Sequence, residues 1–217
     1  MRPVDDRDFD AKDFVAQGYD RCGDVYGAAR GDLPPPWLGL LLDRLPEGAA
    51  VLDIGCGAGV PVTRALASRY VVTGVDISAR QIERARRNLP RTRFLHGDIM
   101  EQEFSRESFA GVVMIYTLFH LPRREHPLLL GLIHGWLQPG GLLLCTLAHT
   151  SESGYIEDDF CGASMYWSHF DEREYDEILE QAGFRVLETK HVGHGYAGTD
   201  HDPEIHPVVL AEARGRR

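Results

Sequence analysis

Residues 51–59, Val51-Leu52-Asp53-Ile54-Gly55-Cys56-Gly57-Ala58-Gly59, leave a folding chain few choices. Val51, Leu52 and Ile54 form strands, and the run is short and apolar, as a strand buried on both faces requires. Gly55, Gly57 and Gly59 then turn the backbone tightly and let it approach a ligand, because no Cβ intervenes. Val60-Pro61 follows, and proline suits the first turn of a helix. A second apolar strand, Val71-Val72-Thr73-Gly74-Val75-Asp76, ends in a carboxylate seventeen residues beyond Gly59. A strand-end acid placed there accepts hydrogen bonds from ribose hydroxyls, so turn and acid together point to an adenosine-containing cofactor.

The spacing GxGxG differs from the GxGxxG of dinucleotide-binding turns, whose backbone amides cradle a pyrophosphate. Asp53, two residues before the first glycine, repels phosphate and attracts an ammonium. S-adenosylmethionine has an amino group and a sulfonium and no phosphate. On these residues the sequence resembles the class I S-adenosylmethionine-dependent methyltransferases of small-molecule type, roughly from Trp37 to Ala213. The alternative is a protein that binds S-adenosylmethionine or NAD without methylating.

The strands and helices read in order as follows. An apolar helix spans Trp37–Leu45 and stops at Pro46. Strands fall at 50–54, 71–76, 92–95, 111–115 and 142–147, and two final strands at 185–191 and 207–213. Ser78 and Gln81 have capping-box spacing at the head of one helix, and Asp171 and Glu174 at the head of another. Leu128–Leu137 is a strongly apolar helix. Alternating strands and helices predict an α/β, doubly wound, mostly parallel seven-stranded sheet, and the last two strands predict a C-terminal antiparallel hairpin. Residues 37–217 form the cofactor-binding domain. Residues 1–36 are aspartate-rich and end in Pro34-Pro35-Pro36, a rigid connector. Phe14, Val15 and Tyr19 suggest a short amphipathic helix there, and the aromatics Phe14, Tyr19 and Tyr26 favour a lid over a solvated tail.

Asp53, Gly55, Cys56, Gly57 and Gly59 are expected around the methionine part of the cofactor, with Asp76 and Ile77 at the ribose. The resemblance implies that Asp98, in Gly97-Asp98-Ile99, accepts from the adenine amino group and that Ile99 packs on the ring. Tyr19 closes over the cofactor as part of the lid. The fourth strand ends in Tyr116-Thr117-Leu118-Phe119-His120, beside the reactive methyl, because ligands in open α/β sheets sit outside the carboxyl ends of the strands. This is not the [DN]-P-P-[YF] tetrapeptide of enzymes that methylate amino groups of nucleic-acid bases or glutamine. His120 and Tyr116 are the candidate catalytic residues. His120 fits a cofactor or pocket contact first, and a packing residue or a general base beside it. Residues 148–170 read as a long connection whose Met165, Tyr166 and Trp167, with Tyr116 and His120, enclose a small-molecule acceptor.

Acidic residues exceed basic ones, 33 against 23, for a formal charge of −10. That argues against a phosphate-tracking nucleic-acid surface. No apolar run approaches a membrane span, and the charged N-terminus is unlike a signal. Cys22, Cys56, Cys145 and Cys161 lack CxxC spacing, so no disulfide framework or zinc site is expected, and a cytoplasmic monomer or homodimer is. The stretch His191, His194, Asp200, His201, Asp202, Glu204 and His206 has metal-binding chemistry but no defensible ligand spacing, and reads as a solvated loop.

Overall fold

Near-continuous burial along the central strands sets the architecture. In the computed structural model, which describes residues 1–4, 9–194 and 204–215, the chain opens with β1 (Arg2–Pro3) and α1 (Ala11–Arg30). It continues through α2 (Gly39–Leu42), β2 (Ala50–Ile54), α3 (Val62–Ala67), β3 (Val71–Asp76), α4 (Ala79–Asn88), β4 (Arg93–His96) and β5 (Phe109–Met114). Then come α5 (His126–Trp136), β6 (Leu137–Thr146), β7 (Glu152–Phe160), β8 (Ala163–His169), α6 (Glu172–Gln181), β9 (Phe184–His194) and β10 (Glu204–Ala213). Seven strands form one sheet in the order β4-β3-β2-β5-β6-β10-β9. The first five are parallel, and β10 and β9 are antiparallel, as the sequence predicts.

Successive side chains on a strand point to opposite faces. Leu52, Ile54, Val112, Met114, Leu143 and Cys145 therefore join one core with Leu129, Ile133, Tyr175 and Leu179 of α5 and α6. Val51, Val113 and Leu144 join a second core with Leu40, Leu41 and Leu66 on the other face. Both faces are covered, so the central parallel strands β2, β5 and β6 are mostly apolar where they pair.

Four local expectations are corrected. Trp37–Leu45 is a 3-10 turn at Pro36–Leu38 followed by a single α turn, because Gly39 weakens the helix and Pro46 ends it. The N-terminal helix is not short: α1 has 20 residues. Its glycines, which lower helix propensity, permit close packing. A Cβ at Gly18 would lie 2.8 Å from Met165 Cε, and one at Gly23 would lie 2.6 Å from the Arg84 guanidinium. Residues 148–170 are not an irregular connection but the β7–β8 hairpin, which adds β1 as a third antiparallel strand. Cys161 (φ +54°) and Gly162 (φ +84°) make its two-residue turn, the φ-positive geometry that matches strand twist. Finally, only half of the Ser78–Gln81 box forms. Ser78 Oγ accepts from Gln81 N at 3.1 Å, but Ser78 N–H goes to Asp76 Oδ1 at 2.9 Å, leaving Gln81 Oε1 without a partner among the described residues. The Asp171–Glu174 box is complete.

α1 packs on the hairpin through Ala11, Val15 and Cys22 against Phe160, Met165 and Tyr166. This third cluster closes one end of the molecule. Among the described residues no helix is long and apolar enough to cross a membrane.

Candidate functional site

A cleft of about 720 Å³, part of it open to solvent, lies between the carboxyl ends of the parallel strands and α1. Its floor begins at the glycine turn. Gly55 (φ +71°) and Gly57 (φ +54°) line it in left-handed conformations. Gly55 also lies so close to Thr117 that a Cβ would overlap its side chain, whereas a Cβ at Gly57 would meet nothing within 4 Å. Gly59 (φ +76°) faces Leu89 and Phe94 and is not on the cleft wall.

Asp76 holds the turn in place. Its Oδ2 accepts from Gly57 N at 2.8 Å and its Oδ1 from Ser78 N. Burial raises its pKa, opposed by these two backbone donors. Asp53 lies one layer deeper, 2% exposed and outside the cleft lining, and accepts from Thr63 Oγ1 at 2.6 Å. Burial pushes its carboxyl up to about 7, against the Thr63 hydrogen bond and with help from the Asp76 charge. Cys56 is likewise turned away, packed with Ile82, Ala85 and Phe94.

Ile77, Asp98 and Ile99 line the next stretch of wall. Asp98 Oδ1 accepts from Met100 N at 2.9 Å, and its Oδ2 meets Lys12 Nζ of α1 at 2.5 Å. Lys12 also reaches Glu125 Oε2 at 3.1 Å. Burial works against the lysine's charge, but the two carboxylates outweigh it and its pKa is raised.

At the other end stand Ile115, Tyr116, Thr117 and His120. Tyr116 adopts φ +53°, with its N–H donating to Thr146 Oγ1 at 2.5 Å. The Arg30 guanidinium lies 4.2 Å from its ring centroid, and the His206 ring meets it edge-on at 5.2 Å. His120 is 5% exposed, with Nδ1 3.0 Å from Tyr166 O and Nε2 2.8 Å from Tyr19 Oη. Burial drives its pKa down to about 4, against the raising effect of the Tyr166 carbonyl. The imidazole is neutral at physiological pH.

The residues that sequence reasoning groups into an acceptor wall separate here. Met165 and Tyr166 are fully buried beneath α1 and do not line the cleft. Trp167 packs on the His120 ring, 4.4 Å between centroids, behind the wall. Tyr19 lines the cleft from α1 together with Val15 and Tyr26 of the expected lid segment, and with Lys12, which sequence reasoning missed. Positions 12, 15, 19 and 26 fall on one helical face, and that periodicity is the signal that identifies them. Gln81, whose Oε1 lacks a partner, also lines the cleft.

In the histidine-rich stretch, His191 Nε2 meets Glu172 at 2.8 Å and His206 Nδ1 meets Leu147 O at 3.3 Å. Asp200, His201 and Asp202 lie outside the described residues. Among the described residues no three potential ligands gather around a metal position.

A methyltransferase-domain family model matches residues 51–141. Over 106 residues, 46% of the chain, the sequence is 38% identical to the 27-O-demethylrifamycin SV methyltransferase of Amycolatopsis mediterranei, and the match covers 38% of that protein. The chain thus spans well under half the length of that curated relative. Burkholderia thailandensis 1,6-didemethyltoxoflavin-N1-methyltransferase, solved with 1,6-didemethyltoxoflavin and S-adenosylhomocysteine, superposes with a TM-score of 0.70 at 24% identity, covering 98% of this chain and 94% of its own. The [4+2]-cyclase SpnF superposes with a TM-score of 0.72 at 18% identity, covering 99% of each chain.

Proposed function

We propose that this chain, which belongs to the class I S-adenosylmethionine-dependent methyltransferases, transfers the methyl group of S-adenosylmethionine to an oxygen or nitrogen atom of a small organic acceptor. One observation carries the reading. The cleft joins the glycine turn, Asp76 and Asp98 at one end to Tyr116 and His120 at the other. Gly55 and Gly57 leave room for the methionine part, and the Gly57 amide is held by Asp76. The Asp76 carboxylate takes the ribose hydroxyls, with Ile77 beside it, while Asp98 and Ile99 take the adenine. Asp53 acts from beneath the turn, through its charge on the ligand's ammonium, and Cys56 and Gly59 support the turn from its buried side.

Displacement at a sulfonium methyl leaves a neutral thioether and disperses charge. The protein's task is to hold the nucleophile in line, about 3 Å from the methyl carbon, and to exclude water. Tyr116 and His120 face the acceptor from the strand ends. Residues 1–36 act as the cap over residues 37–217, with Lys12 tying α1 to Asp98 and Glu125. Met165, Tyr166 and Trp167 support the acceptor end by packing beneath α1 and behind His120. The formal charge of −10 suits a small acceptor better than nucleic acid.

A second reading, ligand binding without methyl transfer, is favoured by the cyclase that shares this fold, since fold alone does not set the reaction. Calorimetry with S-adenosylmethionine, S-adenosylhomocysteine and NAD tests the cofactor. Binding of the first two and not the third is expected, and selective binding of NAD refutes the proposal. Release of S-adenosylhomocysteine with a methylated product then separates methylation from binding alone.

A further inference from the structure

Tyr19 of α1 and His120 of the strand-end loop meet across the cleft, with Tyr19 Oη 2.8 Å from His120 Nε2. His120 Nδ1 is 3.0 Å from the Tyr166 carbonyl oxygen, which only accepts. Nδ1 therefore carries the proton of the neutral ring, and Nε2 offers a lone pair. It follows that the Tyr19 hydroxyl donates to Nε2. The ring is fixed in this orientation by Tyr19 edge-on at 5.3 Å and Trp167 at 4.4 Å. With its only proton directed at His120, the Tyr19 oxygen is left to accept from a bound group.

We propose that Tyr19 and His120 form a proton relay that removes the hydroxyl proton of an alcohol or phenol acceptor during methyl transfer. The proposal rests on the function proposed above and names the class of acceptor. The acceptor oxygen donates an electron pair to the methyl carbon, and the carbon–sulfur pair stays on sulfur, turning sulfonium into thioether. The acceptor proton passes to the Tyr19 oxygen as the Tyr19 proton passes to His120 Nε2. The resulting imidazolium keeps its Nδ1–H on Tyr166 O. After product release Nε2 returns a proton to Tyr19, and one proton in total leaves to water. Tyr19, touching the acceptor, is the catalytic residue, and His120 takes up the charge behind it.

The timing follows from the base strength. Removing a proton from a phenol of pKa about 10 before methyl transfer, with a base near 4, is unfavourable by about six powers of ten. As the carbon–oxygen bond forms, the oxygen gains oxonium character and its proton passes to the relay within the same step, so that losing the relay slows methyl transfer. The relay acts late. An ammonium acceptor must instead lose its proton before it becomes a nucleophile, and so weak a base does not take it. The titratable groups around the cleft are Lys12, Tyr19 and Tyr26 from α1 and Asp76, Asp98 and Tyr116 from the strand ends. The two carboxylates belong to the cofactor end, away from the acceptor.

The test gives the full chain S-adenosylmethionine with 4-methoxyphenol, phenol or 4-nitrophenol, following S-adenosylhomocysteine and methyl ether, with calorimetry for cofactor binding. The wild type is expected to methylate phenol with a kcat flat from about pH 6 to 9. Tyr19→Phe and His120→Gln each lower kcat on phenol about 10²–10⁴-fold, and the double variant falls no further, since the pair acts as a unit. With S-adenosylmethionine held at saturation for each variant, 4-nitrophenol, already ionised at pH 8, loses less than about tenfold. A Tyr19→Phe enzyme with near-native kcat, additive losses, or a wild type that binds cofactor yet forms no aryl ether overturns the relay. Failure of the wild type to bind S-adenosylmethionine overturns the underlying function instead. Should a variant not fold, ¹⁵N-histidine spectra of the wild type with S-adenosylhomocysteine decide. An Nδ1–H tautomer for His120 is expected, and an Nε2–H tautomer or a charged ring at pH 6.5 overturns the relay.

Discussion

Asp53 should contribute its own term to the pH dependence of stability, and Asp53→Asn should isolate it, because the opposing terms from the buried imidazoles of His120 and His126 are common to both proteins. In the folded chain burial holds this carboxyl up to about 7 from an ordinary 3.8. Between those values the folded state keeps a proton that the unfolded chain has released, so this group's contribution to stability falls as pH rises through the window. Each unit is about 1.4 kcal/mol, so the fall from pH 5 to pH 7 from this group is about 2–3 kcal/mol. Asparagine cannot ionise, but its carbonyl oxygen still accepts from Thr63 Oγ1, which now bonds Asp53 Oδ2 at 2.6 Å. Its buried amide lacks the wild-type charge and adds a cost of about 1–3 kcal/mol that does not vary with pH. Urea unfolding of both proteins at pH 5, 6 and 7 therefore reads the difference in stability, not its absolute value. The variant should gain on the wild type by about 2–3 kcal/mol across the series. A difference that stays constant with pH would mean that Asp53 titrates in the fold as it does in the unfolded chain. If its charge also serves the ligand's ammonium, wild-type affinity for S-adenosylmethionine rises with pH through 7 while that of the variant stays flat.

Asp76→Ala removes the acceptor of the Gly57 and Ser78 amides as well as the proposed ribose contact, and should weaken S-adenosylmethionine by about 1.5–3 kcal/mol, or more if the turn loosens, read by calorimetry. Native affinity in a folded variant contradicts that role. Gly57→Val should abolish cofactor binding while the chain still folds, because its side chain enters open cleft space and only the φ of +54° is strained, at about 1–3 kcal/mol. Native binding would place the ligand elsewhere. Hydrogen exchange with and without S-adenosylhomocysteine should show added protection along α1 on binding, since Lys12, Val15, Tyr19 and Tyr26 line the cleft. Equal protection in the two states counts against a closing cap.

The parallel sheet was legible because its signals are local. Val51–Ile54, the glycines after it and the apolar strand ending at Asp76 each declare their structure within a few residues. The hairpin at 152–169 was not legible as such because its strands carry acids and aromatics together. Phe160 joins the third cluster and Ile156 is buried, while Glu157, Asp158 and Asp159 lie between them. That alternation reads as strand only when a helix is known to cover one face. The covering helix, α1, hid behind Gly18, Gly23 and Gly27, which look like loop composition until Met165 and Gln81 are seen pressing on two of them.

The same interdependence explains why the two ends of the cleft differ in how well sequence located them. Asp76 and Asp98 follow their own strands, so position along the chain places them. Tyr19 and His120 are 101 residues apart, and what joins them is the docking of α1 on β8. Tyr166 lends its side chain to that docking and its carbonyl to His120. One buried residue thus couples the seating of the cap to the tautomer of the imidazole. Under the proposed cap and relay, an α1 that lifts from β8 would draw Tyr19 away from His120, so closure and assembly of the acceptor end would be a single event.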